Sequence, residues 1–84
     1  MRGRVVRSKA GRDKDTFGVV VASADGYWFV CDGKQHPLAA PKRKNPKHLA
    51  VTKTVFGEEQ LLSDHALRRA LAIFRDGEAP KEER

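Results

Sequence analysis

Two stretches of this 84-residue chain concentrate side chains that bind anions. Residues 1–14 carry Arg2, Arg4, Arg7, Lys9, Arg12 and Lys14 against the single acid Asp13, and residues 34–53 carry Lys34, Lys42, Arg43, Lys44, Lys47 and Lys53 with no acid. Lysine and arginine are charge-assisted donors to phosphate or carboxylate oxygens, and a block without acids leaves its field unneutralised locally. Gly11 lies in the first basic connection, Ser8-Lys9-Ala10-Gly11-Arg12-Asp13-Lys14, where a residue without Cβ lets the backbone turn tightly and approach a phosphate. Other chemistry has thinner support. Cys31, Asp32 and His36 have the composition of a thiol nucleophile set, but a lone small Cys in a strand is usually buried and inert. His36, His48 and His65 lack paired metal-ligand spacing, and no phosphate-loop signature is present. The chain is therefore expected to bind rather than catalyse, with no metal and no cofactor.

The other two segments are weakly acidic. Residues 15–33 hold Asp15, Asp25 and Asp32 and no base, and 54–84 hold five basic against seven acidic residues, leaving a formal net charge of +6 and a pI of about 9.9. That excess suits a polyanionic partner. The length excludes a two-domain enzyme, and a domain this short buries only about 60% of its unfolded surface, so binding on an outer face is expected over a deep active site. One Cys cannot form an intramolecular disulfide, and the most apolar stretch, Phe17 to Ala24, is too short to span a membrane. A soluble cytoplasmic protein is expected, with the charged start Met1 to Arg4 belonging to the fold.

The elements that must carry these groups read as strands first. Val5-Val6, Phe17 to Ala22 and Tyr27 to Cys31 are runs of β-branched and aromatic residues, and Asp25-Gly26 between the last two is a two-residue hairpin signal. Asp32-Gly33 repeats that signal ahead of a strand at Gln35 to Leu38, and a fifth strand follows at Leu49 to Val55. Between these, Pro41 to Lys47 is predicted to be a basic loop, because each Pro removes a ladder donor and restrains the residue before it. So small a sheet protects its edges by curling into a barrel, with the two basic segments at its surface.

The period then changes. Ser63 is a predicted N-cap with Asp64 in the first turn, and Leu67, Ala70, Leu71 and Phe74 recur at helical spacing. Gly77 is the expected stop, and 78–84 is too charged to bury. The chain thus divides into a barrel at 1–56, an appended helix within 57–77 and a charged tail at 78–84. Arg68 and Arg69 fall on the side away from the Leu67/Leu71 stripe, where they either extend a basic face or keep the helix wet, with Asp64 at ion-pair spacing from Arg68. Trp28 must face away from Tyr27 and Phe29, so it either stacks on a base or fills the core.

Residues 3 to 52 resemble the KOW-motif proteins. Val5-Val6, then Gly11-Arg12-Asp13-Lys14, then Gly18-Val19-Val20 is similar to the KOW strand, Gly-x-Asp-Lys loop and Gly-x-Val strand. Pro41-Lys42-Arg43-Lys44-Asn45, with Lys47-His48-Leu49 and Thr52, resembles the basic linker and following strand of large-subunit ribosomal proteins of the fourteen-e and twenty-seven-e type. The resemblance implies a five-stranded SH3-like barrel that binds RNA, above all large-subunit ribosomal RNA, as a monomer beside ribosomal proteins. Together with the basic blocks it places the RNA contacts at Arg7, Lys9, Gly11, Arg12, Lys14, Lys42, Arg43, Lys44, Lys47 and His48; Arg4, Trp28, Lys34, Arg68 and Arg69 are outer candidates read from charge and position alone. Asp15 departs from the motif, which commonly has Gly there; aspartate tolerates positive φ less well and adds a negative charge beside Lys14. A protein-interaction module of the transcription or translation machinery is the alternative, because SH3-like barrels also dock peptides.

Overall fold

A computed structural model describes residues 2–12 and 14–75. Five strands, β1 (Arg4–Ser8), β2 (Phe17–Ala24), β3 (Tyr27–Cys31), β4 (Lys42–Lys44) and β5 (Leu49–Val55), form one antiparallel sheet in the order β4-β3-β2-β1-β5, followed by helix α1 (Asp64–Ile73). This is the expected mainly β architecture, a small SH3-like barrel with one C-terminal helix. The N-terminal residues belong to it: Gly3 donates to the Val20 carbonyl at 2.7 Å, and Arg2 pairs with Glu58 at 3.0 Å. Gly77, Asp13 and the charged tail lie outside the described residues.

The β2–β3 hairpin closes at Asp25-Gly26 as expected, with φ of 54° and 82°, the doubly positive geometry whose twist matches the flanking strands. Irregularities in the ladder, between Val20 and Ala22 in β2 and between Arg4 and Val6 in β1, bend the sheet. The bend lets side chains from β1, β2, β3 and β5 meet inside: Val6, Val20, Val30 and Leu49 are buried together, with Trp28 against them. The other face of the same strands presents Val5, Val19 and Cys31, which pack with Leu61, Leu67, Leu71 and Phe74. Each buried Leu or Phe contributes about 1.5–3 kcal/mol, so the helix is held by this stripe more than by its cap. That cap is the predicted one, with Ser63 Oγ accepting from Ala66 N–H at 3.1 Å.

Two expectations fail together. Gln35 to Leu38 is not a strand, and the basic segment predicted to be a loop contains one. Asp32 Oδ1 accepts from the N–H groups of Lys34 and His36, while Asp32 and Gly33 N–H both donate to the His36 carbonyl, closing 32–36 into a loop. Pro37 has no N–H, and Leu38 N–H donates to Asp64 Oδ1 at 2.7 Å, so no run of donors remains for a ladder. The free place beside β3 goes to Lys42–Lys44, paired as Val30 with Lys42, Phe29 with Arg43 and Trp28 with Lys44. Pro41 and Pro46 bracket this strand without interrupting it, and three consecutive cations on an edge discourage pairing with another chain.

The same loop fastens the helix. Arg68 Nη1 donates to the Gly33 carbonyl at 2.9 Å, so Asp64 and Arg68 both turn to residues 33–38 instead of pairing with each other. Gly33 has φ of 78°, and a Cβ there would stand 2.6 Å from the Asp64 carbonyl oxygen. Gly33→Ala is expected to lower unfolding free energy by about 1–3 kcal/mol, read as a lower urea midpoint at unchanged m. An unchanged midpoint would show that the helix does not depend on this approach.

Candidate nucleic-acid interface

The connection from β1 to β2 is a closed turn. Ser8 N–H donates to the Thr16 carbonyl at 2.9 Å, Asp15 N–H to the Ser8 carbonyl at 2.7 Å and Lys14 N–H to the Gly11 carbonyl at 3.2 Å. Gly11 adopts φ of 81°, and nothing lies within 4 Å of where its Cβ would be, so its backbone faces open space. Asp15 takes φ of 71°, the conformation a glycine would supply at that motif position. Its carboxylate meets Arg7 Nη1 at 2.8 Å, so the extra negative charge is spent on Arg7. The departure from the motif therefore keeps the turn and neutralises one of the candidate cations.

Three contacts join the two basic segments. Lys9 N–H donates to the His48 carbonyl at 2.8 Å, Ser8 is in register with Leu49, and Lys44 Nζ reaches the buried Ser8 hydroxyl at 3.2 Å. Between β4 and β5 a short 3₁₀ turn at Pro46–His48, capped by Asn45 Oδ1 accepting from Lys47 N–H, turns the chain toward β1. The loop at 9–16 and the segment 44–48 thus share one end of the barrel.

The candidate cations divide by occupation. Lys9, Arg12, Lys14, Lys42 and Lys47 are exposed, and their charged groups have no partner among the described residues. Arg7 is bound to Asp15 and Lys44 reaches Ser8. Arg43 lies over the Tyr27 ring, its guanidinium carbon 4.7 Å from the centroid, and Arg4 Nη1 donates to the Thr52 carbonyl. Lys34, Arg68 and Arg69 are exposed, but the two arginines lie on different flanks of α1. Arg68 faces the loop at 32–36, whereas Arg69 lines a groove with Thr54, Phe56 and Ile73. His48 is exposed and joins the arrangement through its backbone.

Trp28 is not an exposed stacking platform; it is half-buried against the inner core. The exposed aromatic is Tyr27, 38% accessible. Alternation could not separate them, because Val30 and Cys31 are both buried and neither face of β3 reads as polar. The usable signal was position: Tyr27 directly follows the Asp25-Gly26 turn, where the sheet ends.

Cys31 is fully buried, and its Sγ–H points to the Pro37 carbonyl at 3.5 Å. Burial, then the nearby Asp64 and Asp32 carboxylates, push its thiol up to about 11, so it stays neutral where an attacking thiolate is needed. Among the described residues no group of three or more His, Cys, Asp or Glu is placed to share a metal ion, and no helix is long and apolar enough to cross a membrane. No protein-family model matches the chain, and no curated protein matches it.

The raised Cys31 value has a consequence for alkaline stability. The unfolded thiol ionises near 9 and the folded one near 11, so the contribution is intact below pH 9 and lost as pH rises through that window. At pH 10.5 the loss attributable to Cys31 is about 2 kcal/mol. The drop in unfolding free energy from pH 8 to pH 10.5 should be smaller by about that amount in Cys31→Ala than in the parent. Equal drops in both proteins would refute the assignment.

Proposed function

We propose that the chain is a non-catalytic RNA-binding protein, ribosome-associated and cytoplasmic, that neutralises phosphates of structured RNA through one basic end of its barrel. The observation that carries this reading is the meeting of Lys9 and His48, which sets two acid-free or acid-poor segments side by side. Folded RNA is recognised mainly through shape, phosphates and 2′-hydroxyls, and a compact set of exposed cations suits that task without reading bases. The resemblance to KOW proteins points the same way, and large-subunit ribosomal RNA is its implied ligand.

The division into occupied and unoccupied cations sets the roles. Lys9, Arg12, Lys14, Lys42 and Lys47 are the phosphate contacts, and Gly11 leaves the backbone approachable. Arg7 and Lys44 hold the turn and the barrel end in shape, so charge reversal at Lys44 would disturb Ser8 as well as any ligand.

A protein-interaction module remains a second reading on one observation. The groove of Thr54, Phe56, Ala70 and Ile73 leaves Ile73 59% exposed. A partner retained at high salt and released by Ile73→Asp would favour that reading.

With about five phosphates contacted, log affinity for a folded ribosomal RNA fragment should fall with log salt at a slope of order −3.5 to −4.5. Replacing Lys9, Arg12, Lys14 and Lys47 together by Gln should flatten that slope by roughly 3 without lowering the thermal midpoint. A parent slope near zero would remove the electrostatic mechanism. Sedimentation of the tagged protein with the large subunit at low salt, and its release at high salt, would identify the ribosome as the source of the RNA; a signal confined to the top of the gradient would exclude it.

A further inference from the structure

Among the described residues Tyr27 is the one exposed aromatic, and it belongs to neither core. Phe17 packs edge-on against Phe74 at 5.2 Å, Phe56 lies against the outer core and Trp28 against the inner one, so apolar neighbours account for each of them. The Tyr27 ring meets a cation instead, with the Arg43 guanidinium carbon 4.7 Å from its centroid. Register fixes where this pair stands. Trp28, the next residue, pairs with Lys44, so Tyr27 lies beside the point where β4 passes into the turn at Pro46–His48. Side chains alternate along a strand, and Arg43 pairs with Phe29, so Tyr27 and Arg43 share one face of the sheet while Lys42 and Lys44 share the other.

We propose that Tyr27 and Arg43 form a stacking platform for one unpaired base of the RNA held at the basic end of the barrel. Bases stack on aromatic rings and on guanidinium planes alike, and the pair offers both in one place. Because β4 is an edge strand with cations on both faces, a polynucleotide can fold over it, keeping phosphates on the exposed Lys42 and Lys47 while a base lies on the Tyr27 side. Asp25, in the turn that precedes Tyr27, repels phosphate from the hairpin side and favours this path along β4. Every base has a flat face, so the platform selects an unpaired nucleotide without selecting its identity. The inference rests on the RNA-binding reading and deepens it: the ligand class becomes folded RNA with a loop or bulge next to its paired part.

Stacking and phosphate neutralisation respond differently to salt, which separates them. The experiment measures binding over a salt series to two RNAs, a hairpin with an unpaired loop and a fully paired duplex of the same stem, for the parent, Tyr27→Leu, Tyr27→Phe and Arg43→Lys. Tyr27→Leu should weaken hairpin binding by about 5- to 150-fold, the loss of one stacked base, with an unchanged salt slope because no phosphate contact is removed. Tyr27→Phe keeps the ring and should bind like the parent. Arg43→Lys keeps the charge without the plane and should weaken hairpin binding at unchanged slope. The duplex should bind all four proteins alike. Equal losses on hairpin and duplex in Tyr27→Leu would overturn the platform, as a disturbance of the sheet edge. Hairpin binding at the parent value in Tyr27→Leu or Arg43→Lys would overturn it too, and the phosphate reading would stand. If the parent binds neither RNA, or binds both without salt dependence, the underlying reading fails and the platform with it.

Discussion

Val5 and Val6 are neighbours in sequence and both fully buried, so β1 must be covered on both faces at once. Side chains alternate along a strand, and one sheet face alone cannot hide both. The fold answers with two cores: the curled sheet encloses Val6, while Leu61 and the stripe of α1 cover Val5. Placing β1 between β2 and β5 also satisfies its backbone on both edges, which fixes where the chain must return after β4. The convergence of the basic segments is a product of that return, since β5 begins in register with the end of β1.

Charge is then divided between holding and presenting. Arg4, Arg7, Arg43 and Lys44 on the strands and Arg68 on the helix are turned onto Asp15, Ser8, Tyr27 and the Thr52 and Gly33 carbonyls, whereas the cations on the turns, with Lys42 on β4, are left in water. The exposed Arg2–Glu58 pair belongs with the first group; the Arg2 guanidinium holds the Glu58 carboxyl below its usual range, but so exposed a contact orients the chain end more than it stabilises the fold. Crowding unpaired cations at one end costs stability through mutual repulsion, and an anionic ligand relieves that cost on binding.

What could be read in advance was the part governed by local rules. Alternation and turn chemistry place β2, β3 and β5, and Ser63 with the Leu67/Leu71 spacing places the helix. The failures came where a tertiary partner outbid local preference. Asp32 used its side chain to close a loop, and Lys42–Lys44 became a strand because β3 had an open edge, although nothing in Lys-Arg-Lys favours one. For the candidate site, the segments were legible but the occupation of each cation was not. No local signal says that Asp15 will take Arg7, or that successive arginines on α1 will face different grooves.

The bond between Lys9 and His48 encloses β2, β3 and β4 in a single loop of chain. Such a pairing can form only after the intervening strands have been made and gathered, because the entropy of closing the loop must be met by contacts within it. During synthesis the first basic segment leaves the ribosome well before the second, as an ordinary charged peptide with no shaped surface. The composite patch comes into being only with the completed barrel, so a truncated or half-folded chain lacks it. Under the proposed reading, recognition by shape is in this way tied to a finished fold, which sets a delay between translation and engagement.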